Sequence, residues 1–169
     1  TDVFETTALS ASDNIAFAKS GQAYVFDSNA RIWKTIVDGD KIGEYTASYA
    51  DVNGKNVCSL TTDLSGKYIN EQTNSLKWSS GSLIVTMGSD GTGNPVIKRL
   101  YNNAVYNQSL AGTEVKPNAG PGDPLKGVKW QSGSITVTLN GDVNAPKQST
   151  VYNNAVYTQN LKGTFVNKA

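Results

Sequence analysis

The chain has no histidine, one methionine, a single cysteine (Cys58), and no apolar run near the roughly 20 residues that cross a bilayer as a helix. Without histidine there is no imidazole base for a serine or cysteine triad, and the commonest zinc ligand is missing. A Cys–His nucleophile is excluded outright. One cysteine makes no disulfide within the chain, so Cys58 is expected as a small buried hydrophobe and no redox compartment follows. Charge is sparse and balanced: 15 basic against 14 acidic residues leave +1, too little for a protein whose task is to grip a phosphate backbone. No nucleic-acid partner and no transmembrane segment are expected. The start lacks the basic-then-apolar pattern of a signal peptide, and Thr1 leaves removal of a leader open, so the compartment is unassigned and secretion stays possible for a soluble chain.

What is plentiful is glycine, asparagine, serine and threonine, spread along all 169 residues. That mixture suits short strands joined by tight turns, in one domain or two small ones. Residues 76–118 and 128–168 read as two copies of one unit. Trp78 matches Trp130 and Met87 matches Leu139 at an offset of 52, whereas Pro95 matches Pro146 and Tyr101 matches Tyr152 at 51. The deletion falls between Met87 and Pro95, which marks that stretch as an exposed loop. Ile135 to Leu139 alternates at period two, as a half-buried strand does. Ser80-Gly81-Ser82 and Ser132-Gly133-Ser134 read as turns after each tryptophan, and Tyr101-Asn102-Asn103-Ala104 and Tyr152-Asn153-Asn154-Ala155 as hairpins, since asparagine tolerates the left-handed conformation. Each unit then closes in a short strand, around Val115 and around Phe165-Val166.

The expected architecture is therefore all-β, a β-sandwich or partly closed antiparallel barrel containing two copies of a unit of about 42 residues. Its segments are an N-terminal β-rich region (1–75), copy 1 (76–116), a Pro/Gly-rich linker or surface connection (117–127) and copy 2 (128–169). In the first segment, Ala23 to Asp27, Ile32 to Val37 and Tyr45 to Tyr49 read as strands, and Asp38-Gly39-Asp40 and Asn53-Gly54 as hairpin turns. Short helical turns stay open between Ala8 and Ala18.

Little catalytic equipment is visible. Asp38, Asp40, Glu44 and Asp51 are carboxylates of the kind that cleave glycosides in pairs, but no spacing singles out a pair. Asp38-Gly39-Asp40 with Glu44 hints at a calcium loop yet lacks the remaining EF-hand ligands, and Gly88 to Gly93 has neither a dinucleotide nor a phosphate-loop spacing. No catalytic residue, metal site or cofactor is assigned. The repeated set Trp78, Tyr101, Asn102, Asn103 and Tyr106, with Trp130, Tyr152, Asn153, Asn154 and Tyr157, is the strongest constellation. Aromatic faces stack on sugar rings and amides bond hydroxyls, and two such sites would add avidity. The alternative is that the rings are core and the asparagines only make turns. Asn103-Ala104-Val105-Tyr106 and Asn154-Ala155-Val156-Tyr157 resemble part of the QxDxNxVxY site of monocot mannose-binding lectins. Their tyrosine stands one place early and the Gln and Asp are missing, so no family follows.

The expected function is a non-catalytic, lectin-like or adhesive module for a glycan partner. A structural or assembly protein (virion, appendage or matrix component) that forms homo-oligomers is the alternative, ahead of a β-rich toxin or inhibitor.

Overall fold

The computed structural model describes residues 9–12, 14–69 and 76–159. Among these residues there is no helix, and eleven strands form two antiparallel sheets, as an all-β reading requires. The first sheet has the order β1-β2-β3-β4, from β1 (Leu9–Ser12), β2 (Ile15–Phe17), β3 (Ala23–Asp27) and β4 (Ile32–Thr35). The second runs β11-β10-β9-β8-β7-β6-β5, from β5 (Lys41–Ile42), β6 (Tyr45–Val52), β7 (Lys55–Asp63), β8 (Ser80–Ser89), β9 (Pro95–Ser109), β10 (Ser132–Asp142) and β11 (Lys147–Val156). Compactness divides the chain into Thr1–Val105 with Thr138–Gln148, and Tyr106–Val137 with Ser149–Ala169. These units cut across residues 76–116 and 128–169, because a strand belongs with whatever it bonds to and not with the stretch it resembles.

In the first unit the two sheets close on one apolar core. Ile15, Phe17, Ala23 and Ile36 come from the first sheet and its exit, and Ala47, Cys58, Leu60 and Val85 from the second. β2 is buried along its whole length, so residues 15–17 are strand where helical turns were open. A central strand covered on both faces reads as a continuous apolar run without alternation. Val37 to Asp40 is a corner, not a hairpin, since β4 and β5 belong to different sheets. Its shape is held by Val37 N–H donating to Asp40 Oδ2 at 2.9 Å. Asn53 (φ 54°) and Gly54 (φ 82°) do form the two-residue β6–β7 turn, both in the left-handed region such a turn demands.

Tyr49 ties the two layers together. Its hydroxyl donates to the Ile36 carbonyl and accepts from the Gln22 amide and from Ala23 N–H. Beside it, burial pushes the Cys58 thiol up to about 11 and raises the Tyr49 phenol well above the usual range.

The paired asparagines lie within strands instead of making hairpin turns. In the first unit Ser80 pairs with Val105 and Ser82 with Asn102, so Asn103 and Ala104 together oppose Gly81 in a β-bulge. Asn103 has φ 48° and Gly81 φ 109°. A β-carbon on Gly81 would stand 2.4 Å from the Asn103 carbonyl oxygen and 2.5 Å from Ala104 Cα, so only glycine fits. In the second unit Gly133 and Asn154 have the same dihedrals, 109° and 48°, with Ala155 Cα 2.6 Å from the missing β-carbon. Ser-Gly-Ser is thus the start of a strand and not a turn ahead of one.

Val115 closes no strand. Its N–H donates to Val128 O at 2.9 Å and Glu114 bridges Lys129, so residues 117–127 are a surface connection closing a small hairpin. Phe165-Val166 lies outside the described residues. Asp123 organises that connection by accepting from Leu125 N–H at 2.9 Å, and the neighbouring Lys116 ammonium with that N–H holds its carboxyl below the usual range.

Four outcomes are expected. Tyr49→Phe leaves the Ile36 carbonyl without its hydroxyl donor and lowers urea stability by about 1–2 kcal/mol. Gly133→Ala costs at least about 2 kcal/mol, whereas Gly39→Ala, left-handed but in open space, costs about 1 kcal/mol, which chemical denaturation of the two variants compares. Because the folded protein holds Cys58 and Tyr49 protonated above their ordinary values, their contribution is full below about pH 9 and is lost as pH rises from there toward 11 and beyond. Denaturation midpoints measured against pH test the sign, and a disulfide reagent at pH about 8 should leave the native thiol unreacted while labelling it in denaturant.

Candidate functional site

Each tryptophan is positioned by a Leu-x-Gly turn upstream of it, which the residue pattern around the aromatics alone did not bring out. In the first unit Leu64 N–H donates to Gly81 O, Gly66 N–H to Trp78 O, and Trp78 N–H to Lys67 O, each at 2.9 Å. In the second unit Leu110 bonds Gly133 (3.0 Å), Gly112 bonds Trp130 (2.9 Å) and Trp130 bonds Thr113 (2.8 Å) in the same way. The turn and the glycine bulge hold the tryptophan backbone from both sides. The same spelling recurs at Leu161-Lys162-Gly163, outside the described residues.

The two tryptophans then differ. Trp78 is only 4% exposed, and its ring lies 5.3 Å from that of Tyr101, so it offers no free face for stacking. Trp130 is half-buried, with Tyr152 at 5.8 Å and Tyr157 edge-on at 5.2 Å. Tyr152 is 57% exposed. The residues around each turn differ as well. Counted from the Leu-x-Gly leucine, the positions of Gln108 and Thr113 are held in the first unit by buried Thr62 and by Lys67, whose ammonium donates to Thr62 Oγ1 at 3.0 Å and to Glu44 at 2.7 Å.

The asparagines do not join the rings. Asn153 follows Tyr152 directly along β11, so its side chain leaves the opposite face of the sheet, where its amide donates to Thr136 Oγ1 at 2.6 Å. Thr136 in turn donates to Asn107 Oδ1 at 2.6 Å. Asn102 pairs with Ser82, one place along from Tyr101 and Leu83, and so leaves the face opposite them. Asn103 and Asn154 serve the bulges, and the Asn103 N–H donates to Asn140 Oδ1 at 2.8 Å. Tyr106 is half-buried.

What remains is one cleft of about 270 Å³ in the second unit. Trp130, Ile135, Leu110 and Tyr152 form its apolar side, and Gln108, Thr113 and Glu114 stand at its polar side. Its size suits a single ring more than a drug-sized ligand, whose sites run from roughly 300 Å³ upward. A hollow of about 300 Å³ in the first unit, between Lys19, Lys55, Val57, Met87 and Pro95, has no aromatic wall. Among the described residues no three His, Cys, Asp or Glu side chains gather as a metal site, and no helix is long and apolar enough to cross a membrane. Comparisons with protein-family models, with curated proteins and with solved structures give no match to this chain.

Proposed function

We propose that the chain carries a duplicated β-unit and acts as a non-catalytic carbohydrate-binding module, with the ligand in the Trp130–Tyr152 cleft. The observation that carries this reading is an exposed tyrosine beside a half-buried tryptophan over a ring-sized hollow, with a carboxylate and an amide at its edge. The apolar face of a pyranose stacks on such rings, while Glu114 accepts from sugar hydroxyls and Gln108 both donates and accepts. Only the second unit serves, because Trp78 is covered. The module is therefore monovalent per chain, and avidity for a multivalent glycan comes only from bringing chains together.

A glycan array followed by titration calorimetry tests the proposal. Tyr152→Ala, at an exposed position, should weaken binding about fivefold to tenfold, while Tyr101→Ala should leave affinity unchanged wherever the protein stays folded. A folded protein that binds no glycan ends the reading. The exposed apolar side chains of β11 favour a second, assembly role, which has its own geometry.

A further inference from the structure

β11 ends the strand order of its sheet, so among the described residues no strand lies along its far side. Edge strands are ordinarily guarded by charge or proline. From Gln148 to Gln159 there is neither. Val151 (54% exposed), Tyr152 (57%) and Val156 (49%) on this strand, with Tyr157 (38%) just after it, are half of the large apolar side chains that the described residues expose. The exposure is concentrated here and not scattered.

The chain itself shows how such an edge is covered. β9 carries the same Tyr-Asn-Asn-Ala-Val-Tyr run, at 101–106, and has β10 along its far side. Two bonds mark that seam: Asn103 N–H donates to Asn140 Oδ1, and Thr136 Oγ1 to Asn107 Oδ1. They lie four residues apart on each strand and run in opposite directions, as antiparallel pairing requires. The strand that covers the edge contributes Thr136-Val137-Thr138-Leu139-Asn140. β11 has the same Thr-Val-x-x-Asn spelling in Thr150-Val151-Tyr152-Asn153-Asn154. One strand therefore holds both the receiving run and the covering run, and they meet at Asn154.

We propose that β11 is a homodimer interface, in which β11 of a second copy pairs antiparallel with it about a two-fold axis at Asn154. Setting Asn154 of the second copy where Asn140 stands against Asn103 brings Val151 opposite Tyr157 of the second copy and Tyr152 opposite its Val156. The four exposed apolar side chains then line one seam, the valines on one face of the joined sheet and the tyrosines, which share Trp130, on the other. A surface that is its own complement closes as a dimer and stops. The interface shares Tyr152 with the cleft, but Val151, Asn154 and Val156 do not line it, so variants at those three positions test the dimer apart from the carbohydrate reading.

Sedimentation of the full chain from low micromolar to near millimolar concentration tests it. The chain should pass from monomer to dimer, and Val151→Lys and Val156→Lys should each weaken association at least about tenfold. Val52→Lys, at an equally exposed position on β6, should not change it. Register is read by mild oxidation, with Cys58 buried and silent. Asn154→Cys should give a covalent dimer, whereas Val151→Cys, three residues from the axis, should not. A monomer throughout the range, a dimer indifferent to the lysines, or crosslinking that favours position 151 overturns the proposal. So does a monomer that binds a synthetic peptide of residues 132–142, which would assign the edge to a β10-type strand of another molecule.

Discussion

A glycine pressed against the backbone of the next strand is the contact on which both aromatic stretches depend. At Gly81 and Gly133 any side chain would collide with main-chain atoms that cannot yield. The same close approach lets the opposing strand carry one extra residue, and a left-handed asparagine absorbs it. The glycine carbonyl is then aimed at the leucine of the Leu-x-Gly turn. That bond fixes where the chain enters the hairpin bearing the tryptophan. Bulge, turn and indole are thus one device, and altering the glycine disturbs all three.

The core of the first unit works on a different principle. Apolar side chains from both sheets exclude water, at about 25 cal/mol per Å² of apolar surface removed, and supply most of the stabilisation without specifying how the layers lie. A single half-buried hydroxyl adds direction. Tyr49 engages three groups at the exit and entry of first-sheet strands, and a buried polar group of that kind is costly to leave unmatched.

Much of this was legible from residues alone. Ala23 to Asp27 is a strand to the residue, Ile32 and Tyr45 begin strands where alternation places them, and the Asn53-Gly54 turn follows from two residues that both tolerate positive φ. Residues 90–94 are an exposed loop, in the interval where the two similar stretches differ in length. The Asn-Asn pairs misled because left-handed asparagine serves a bulge as readily as a turn, and what decides between them is a glycine some twenty residues upstream. Burial of Trp78 could not be read from its own stretch, since Trp-x-Ser-Gly-Ser is spelled alike in both places. The turns beside the two tryptophans are not spelled alike, with Thr62 and Lys67 where the second unit has Gln108 and Thr113. The asparagine–aromatic cluster dissolved for a simpler reason, that neighbours in a strand point to opposite faces.

The loop of residues 90–94 has a use of its own. Asp90 holds it in shape by accepting from the N–H groups of Thr92 and Asn94 at 2.9 and 3.2 Å, so its order comes from within and asks nothing of the core. A tip so self-contained is where the chain can be opened to graft a foreign peptide or to join new termini, with the flanking strands still in register.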